Sequence, residues 1–125
     1  RTLYVGSFGW GTIHAIPFDE QGNPGEAELL VQGLGNGMLD GMGVDACGNI
    51  YVCEYLAARV WRISPDGDDL APLIDFSADT DWIPNMQWGS GIGGWTTDHL
   101  YVPDITAAKM YEVPLGVPGK ARAYP

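Results

Sequence analysis

The chain has 125 residues, 46% hydrophobic and 18% charged, which is enough for one domain with a real core and too apolar for disorder. Its net charge of −10, from 6 Lys and Arg against 16 Asp and Glu, argues against a nucleic acid partner and against an anionic membrane surface. The 18 Gly, 9 Pro, 5 Trp, 6 Tyr and 3 Phe favour short strands and tight turns over long helices. The chain lacks an apolar run long enough to cross a bilayer, so the expectation is a soluble chain, whether cytoplasmic, secreted or periplasmic.

In chain order, Leu3-Tyr4-Val5 is the first strand signal, followed by Ile13 and Ile16 and by the turn Gln21-Gly22-Asn23-Pro24-Gly25. Met42–Ala46 reads as a strand. Beyond the turn Cys47-Gly48-Asn49, Ile50–Glu54 and Arg59–Ser64 read as its hairpin partners, and Leu70–Asp75 as an outer strand after Pro65-Asp66-Gly67-Asp68. Asp79–Ile83 is expected to form a single helical turn at most. A last group starts near Asn85 and runs through Leu100–Val102 and Lys109–Val113.

These runs repeat. Leu3-Tyr4-Val5, Ile50-Tyr51-Val52 and Leu100-Tyr101-Val102 place their tyrosines 47 and 50 residues apart. Ala57-Ala58-Arg59 falls on Ala107-Ala108-Lys109. Short β-type runs with a period of about 45–50 residues are the mark of propeller blades. The expected fold class is therefore all-β, a β-propeller of about two and a half four-stranded antiparallel blades. Residues 1–35 would be strands two to four of one blade, 36–80 one complete blade, and 81–125 the last. A ring needs roughly 4–8 blades, and exposed sheet edges invite pairing. The remainder of the ring, from the same or a separate chain, is thus an expected partner.

The stretch Leu39-Asp40-Gly41-Met42-Gly43-Val44-Asp45-Ala46-Cys47-Gly48-Asn49-Ile50-Tyr51-Val52 resembles the regucalcin/gluconolactonase/senescence-marker-protein family of six-bladed propellers. Three later segments match in order: Ala58–Gly67, Pro84-Asn85-Met86-Gln87-Trp88-Gly89, and Leu115-Gly116-Val117-Pro118-Gly119. Leu39 stands where the family usually has Pro. The resemblance implies a C-terminal portion of a metal-dependent lactonase-like hydrolase acting on a small lactone or sugar-derived ester. It also implies a divalent cation at the channel mouth, Ca²⁺ first, with Zn²⁺ or Mg²⁺ as alternatives. In that family a Glu, an Asn and an Asp from three blades hold the metal. Asp40 takes the Asp position, and the other two would precede Arg1. Two other readings stay open: a non-catalytic propeller used as a binding or sensor module, and a strictosidine-synthase-like propeller, since fold does not fix chemistry.

Asp40 is thus the candidate metal ligand and catalytic carboxylate, able to orient or deprotonate water, against the alternative of capping the strand-entry turn with Gly41. Asn85 lies 45 residues on, one blade later, and is a candidate for binding a small-molecule substrate at the channel mouth, or else a turn-stabilising amide. Trp88, with Trp82, either walls a substrate pocket or packs between blades. Asp45, Asp66 and Asp98 are expected to accept backbone N–H bonds at hairpin turns. Glu54 and Asp104 share one repeat position and are read as solvated strand ends, with a structural or channel-lining role open. His14 in a strand and His99 in a turn lack ligand partners at useful spacing. Gly89-Ser90-Gly91-Ile92-Gly93-Gly94 fits a dinucleotide fingerprint on paper, but a turn and a strand follow it, not a helix. Cys53 is expected across from Met42 or Gly43, which rules out a disulfide to Cys47 and leaves the redox compartment open.

Overall fold

The computed structural model describes residues 1–121, so the last four positions of the expected 81–125 unit lie outside the described residues. The first sheet contains β1 (Thr2–Gly6), β2 (Ile13–Pro17) and β3 (Glu28–Val31). The second contains β4 (Leu39–Val44), β5 (Ile50–Glu54), β6 (Arg59–Ile63) and β7 (Leu70–Asp75). The third contains β8 (Gln87–Trp88), β9 (His99–Asp104) and β10 (Lys109–Pro114). Within each sheet every strand pairs antiparallel with its neighbour in sequence. The architecture is all-β, a set of consecutive propeller blades, as the repeat predicts.

Burial periodicity shows how the blades stack. All five residues of β5 are buried, because the middle blade is covered on both faces. Ile50 and Val52 face the first blade, joining Ile13, Val31, Leu34, Leu39 and Ile63 in one core. Tyr51 and Cys53 point the other way, into a core with Val60, Ile83, Trp88, Leu100 and Val102. Burying each such side chain contributes about 1.5–3 kcal/mol. In the outer blades only one face is covered. Leu3 and Val5 of β1, at 50% and 43% exposed, and Met110 of β10, at 50%, lie on faces open to solvent.

The inner strand of the middle blade begins at Leu39 and not at Met42, because a bulge interrupts its register. Met42 pairs with Val52 and Gly43 with Tyr51, yet Leu39 pairs with Glu54. Asp40 and Gly41 together therefore oppose Cys53. This corrects the expectation that Cys53 faces Met42 or Gly43. The hairpin turns at Ala46-Cys47-Gly48, with Asp45 and Asn49 as the closing pair, one position earlier than the turn composition suggests. The absence of a disulfide holds: Cys47 is exposed, Cys53 buried, and both are free.

Two local readings are also corrected. The helical turn expected within Asp79–Ile83 lies earlier, where the Phe76 carbonyl accepts from the N–H groups of Asp79 and Thr80. A 3₁₀ turn at Tyr55–Ala57, which composition does not signal, joins β5 to β6. Ala58 after it and Ala108 in the equivalent turn of the third blade both have positive φ, 49° and 50°. The repeat in sequence is thus a repeat in backbone conformation.

Beyond β10 the chain returns to the middle blade. The Pro118 carbonyl accepts from Ala46 N–H at 2.9 Å, Lys120 N–H donates to the Val44 carbonyl at 2.8 Å, and Asp45 and Gly119 form a bridge. The free edge of β4 is occupied at this end by residues 118–120.

Candidate channel-mouth site

The two ends of the middle blade differ. At one end lie the Asp45–Asn49 turn and residues 118–120. At the other, Leu39 of β4 pairs with Glu54, and Glu54 pairs with Arg59, so the start of β4 and the Tyr55–Ala58 turn share this end. Gly41 N–H donates to the Pro84 carbonyl at 2.8 Å. A side chain on Gly41 would collide with Asn85. Glycine therefore lets the bulge of one inner strand close onto the entry to the next, so that Asn85 lies against the residue that follows Asp40.

Asp40 is exposed, and among the described residues its carboxylate takes no hydrogen bond. It does not cap the strand-entry turn. Its charge is close enough to act on the buried thiol of Cys53, which burial first and then Asp40 push up to about 12. Asn85 is also exposed, and its Oδ1 accepts from Met86 N–H at 2.8 Å.

Trp88 is 7% exposed. Its ring meets Tyr51 edge-on at 5.1 Å between centroids, and its indole N–H donates to the Val117 carbonyl at 3.0 Å. A Cβ on Gly43 would sit 2.7 Å from the Trp88 ring. The side chain is therefore packed between blades, with part of it on a cleft of about 410 Å³ that also touches Asn85, Trp95, Tyr101, Pro103 and Met110. That cleft lies on the last blade and reaches Asn85.

The other carboxylates are structural. Asp45 is fully buried and accepts from the N–H groups of Cys47 and Asn49, the Asn49 amide and the Tyr51 hydroxyl. Asp66 accepts from Asp68 N–H and the Ser64 hydroxyl. Asp98 departs from expectation: its backbone carbonyl, not its carboxylate, accepts from Leu115 and Gly116 N–H. Glu54 and Asp104 are not solvated ends. They are 0% and 2% exposed. Glu54 accepts from Asn36 N–H and the Trp61 indole, while Asp104 accepts from the N–H groups of Thr106 and Ala107 and the Tyr111 hydroxyl. At the same repeat position, each ties its strand end to nearby loop or turn backbone. His99 opens β9 and does not lie in a turn; its Nδ1 shares a 2.9 Å hydrogen bond with Glu112, which also accepts from Tyr101.

Sequence reasoning missed the aromatic surroundings of this end. Phe8 and Tyr55 rings lie 6.1 Å apart, and Tyr55 stacks on Trp82 at 5.9 Å. Only Trp82 carried a signal, through its closeness to Asn85 in the chain.

An antiparallel propeller segment with an unpaired carboxylate at the start of an inner strand is the class of protein that fold and site define. The family described as SMP-30/Gluconolactonase/LRE-like region matches residues 1–106, and the chain belongs to it. A 6-deoxy-6-sulfogluconolactonase of Pseudomonas putida is 32% identical over 80 residues, covering 62% of this chain and 26% of the relative. The match thus spans about a quarter of the length of that curated relative. No helix among the described residues is long and apolar enough to cross a membrane.

Proposed function

We propose that these blades form part of a metal-dependent lactonase-like propeller that hydrolyses a small lactone or sugar-derived ester, with Asp40 at its working end. The observation that carries the reading is the Asp40 carboxylate, exposed and without hydrogen-bond donors beside Asn85, whereas the buried carboxylates Asp45, Glu54 and Asp104 are all engaged. The family membership supports the same reading.

Asp40 and the Asn85 amide offer oxygen donors, which suit a hard cation such as Ca²⁺ over Zn²⁺ in kind; Mg²⁺ is the other oxygen-seeking candidate. In number they fall short. Among the described residues no group of three or more His, Cys, Asp or Glu side chains could hold a metal ion, and Ca²⁺ takes 6–8 oxygens. The remaining ligands would come from waters and from other blades of the ring. When bound, the cation would polarise the lactone carbonyl. Asp40 would hold the cation and orient the attacking water, and the Asn85 amide would hydrogen-bond the substrate. Water adds to the acyl carbon, the acyl–oxygen bond opens, and the water proton passes through the site to the departing ring oxygen.

The related enzyme's name specifies a sulfonated lactone. Here the cations on the turns at this end are already paired: Arg59 with Asp75 at 2.9 Å, and Lys109 with Asp104 at 3.9 Å. These two cations are thus not held ready for a sulfonate, and a neutral lactone is the substrate we assign to the groups this chain supplies. Calorimetric Ca²⁺ titration of the full-length protein, with and without Asp40→Ala, tests the reading. Loss of affinity together with loss of lactone hydrolysis is expected. Equal affinity in both refutes the ligand role, and metal binding without hydrolysis of any lactone makes the protein a binding module.

A further inference from the structure

The aromatic row Phe8–Tyr55–Trp82 is not explained by core packing. Each ring comes from a different part of the chain: Phe8 from the β1–β2 turn, Tyr55 from the 3₁₀ turn of the middle blade, and Trp82 from the segment leading to the last blade. Phe8 is 50% and Trp82 44% exposed, in contrast to the buried Trp88. Two members of the row are held by backbone. Tyr55 N–H donates to the Met38 carbonyl at 2.8 Å, and the Tyr55 carbonyl accepts from Ile83 N–H at 3.2 Å. Met38 lies two residues before Asp40, and Ile83 two before Asn85. These hydrogen bonds therefore tether Tyr55 and Trp82 to the segments that lead into Asp40 and Asn85.

Rings at these separations favour one another's faces and edges, but stacking among themselves does not require a half-exposed indole at the end of the row. An exposed aromatic surface near a polar site is the kind of surface on which a flat ligand can stack. The acidic side chains Asp40, Asp79 and Asp81 at this end are exposed, so the surface disfavours an anionic ligand; among the others, a neutral lactone is what the proposed reaction takes.

We propose that Trp82, backed by Tyr55 and Phe8, is a stacking platform for the apolar part of the substrate, so that the site takes uncharged lactones carrying an aromatic or other flat apolar ring. The platform holds the ring while the lactone carbonyl lies at the Asp40–Asn85 end. This deepens the lactonase reading and rests on it.

The test is calorimetric binding of coumarin, a lactone fused to an aromatic ring, and of δ-gluconolactone, which has no apolar ring, to the full-length protein. Trp82→Ala is expected to weaken coumarin by about tenfold while leaving δ-gluconolactone unchanged, and Trp82→Phe to restore most of the loss. Trp10→Ala, at a tryptophan 82% exposed and outside the row, should change neither. Ca²⁺ titration of Asp40→Ala separates the two claims. If Asp40→Ala abolishes Ca²⁺ binding but Trp82→Ala leaves coumarin affinity intact, or if coumarin does not bind at all, the platform is overturned and the lactonase reading stands. If Trp82→Ala weakens coumarin and Asp40→Ala leaves Ca²⁺ affinity unchanged, the platform stands and the lactonase reading falls.

Discussion

Tyr51 and Trp88 meet at right angles, 5.1 Å between ring centroids, across the boundary between the middle and last blades. Tyr51 is the central residue of the repeated triplet, and Trp88 ends the two-residue inner strand of the next blade. Their contact makes the alignment of one blade depend on the side chains of another.

Trp88→Ala should therefore be among the most damaging single substitutions. It removes a buried indole, the edge-on contact and the hydrogen bond to Val117, at a cost of about 3–5 kcal/mol. Urea unfolding measures this, and a loss below about 1 kcal/mol would mean that the blades do not share this core. Gly43→Ala should also destabilise, because its Cβ would press on the same ring.

Glu54→Ala should cost about 1–3 kcal/mol, because it leaves the Asn36 N–H and the Trp61 indole N–H without their acceptor. Glu54→Gln keeps one acceptor oxygen and should lose less. Thermal melts of the two variants decide between a charge-assisted tie and simple space filling. Equal losses would argue for packing alone.

The thiols should behave in opposite ways. Cys53 is buried with its pKa pushed up to about 12, so it is uncharged and shielded at neutral pH, whereas Cys47 is exposed. One equivalent of thiol reagent should label the native protein and two the denatured protein. Two equivalents under native conditions would mean that the strand opposite the bulge opens readily.

Asp75 accepts from the Ser77 N–H at 2.9 Å and from Arg59 at 2.9 Å. Hydrogen bonding with Ser77, then with Arg59, brings its pKa down from 3.8 to about 2. A folded-state pKa below the unfolded one gives stability that is present above about pH 4 and lost as pH falls towards 2. The pair is exposed, so the effect on global stability is small. The direct measurement is the carboxyl NMR titration of Asp75, which should move up towards the ordinary value in Arg59→Leu. An unchanged midpoint would exclude the ion pair as a cause.

The fold was legible because it repeats. Tyr4, Tyr51 and Tyr101 mark equivalent strands, and a period of nearly fifty residues with β-type runs leaves few architectures. The equivalence of the segments around Asp40 and Asn85 was legible for the same reason, as one blade's advance. The register around Asp40 was not, since a bulge depends on what the extra residue meets, and Gly41 reveals that only through its approach to Asn85. Glu54 and Asp104 were misjudged because burial of a carboxylate depends on donors from distant loops, Asn36 and Thr106 among them. The aromatic row was hidden for a related reason: Phe8, Tyr55 and Trp82 are separated by 47 and 27 residues, and only the stacked blades make them neighbours.

Residues 118–120, lying against β4 near Asp45, decide what else the inner edge of the middle blade can meet. A strand lining a hollow hub would ordinarily leave its amides and carbonyls free along its whole length, equally open from above and below. Here the lower half of that lining is already spoken for by Val44–Lys120 and Ala46–Pro118 pairing, while the upper half carries Asp40. That end of the β4 edge is closed to any further strand or ligand by the chain's own return, and Asp40 stands at the opposite end.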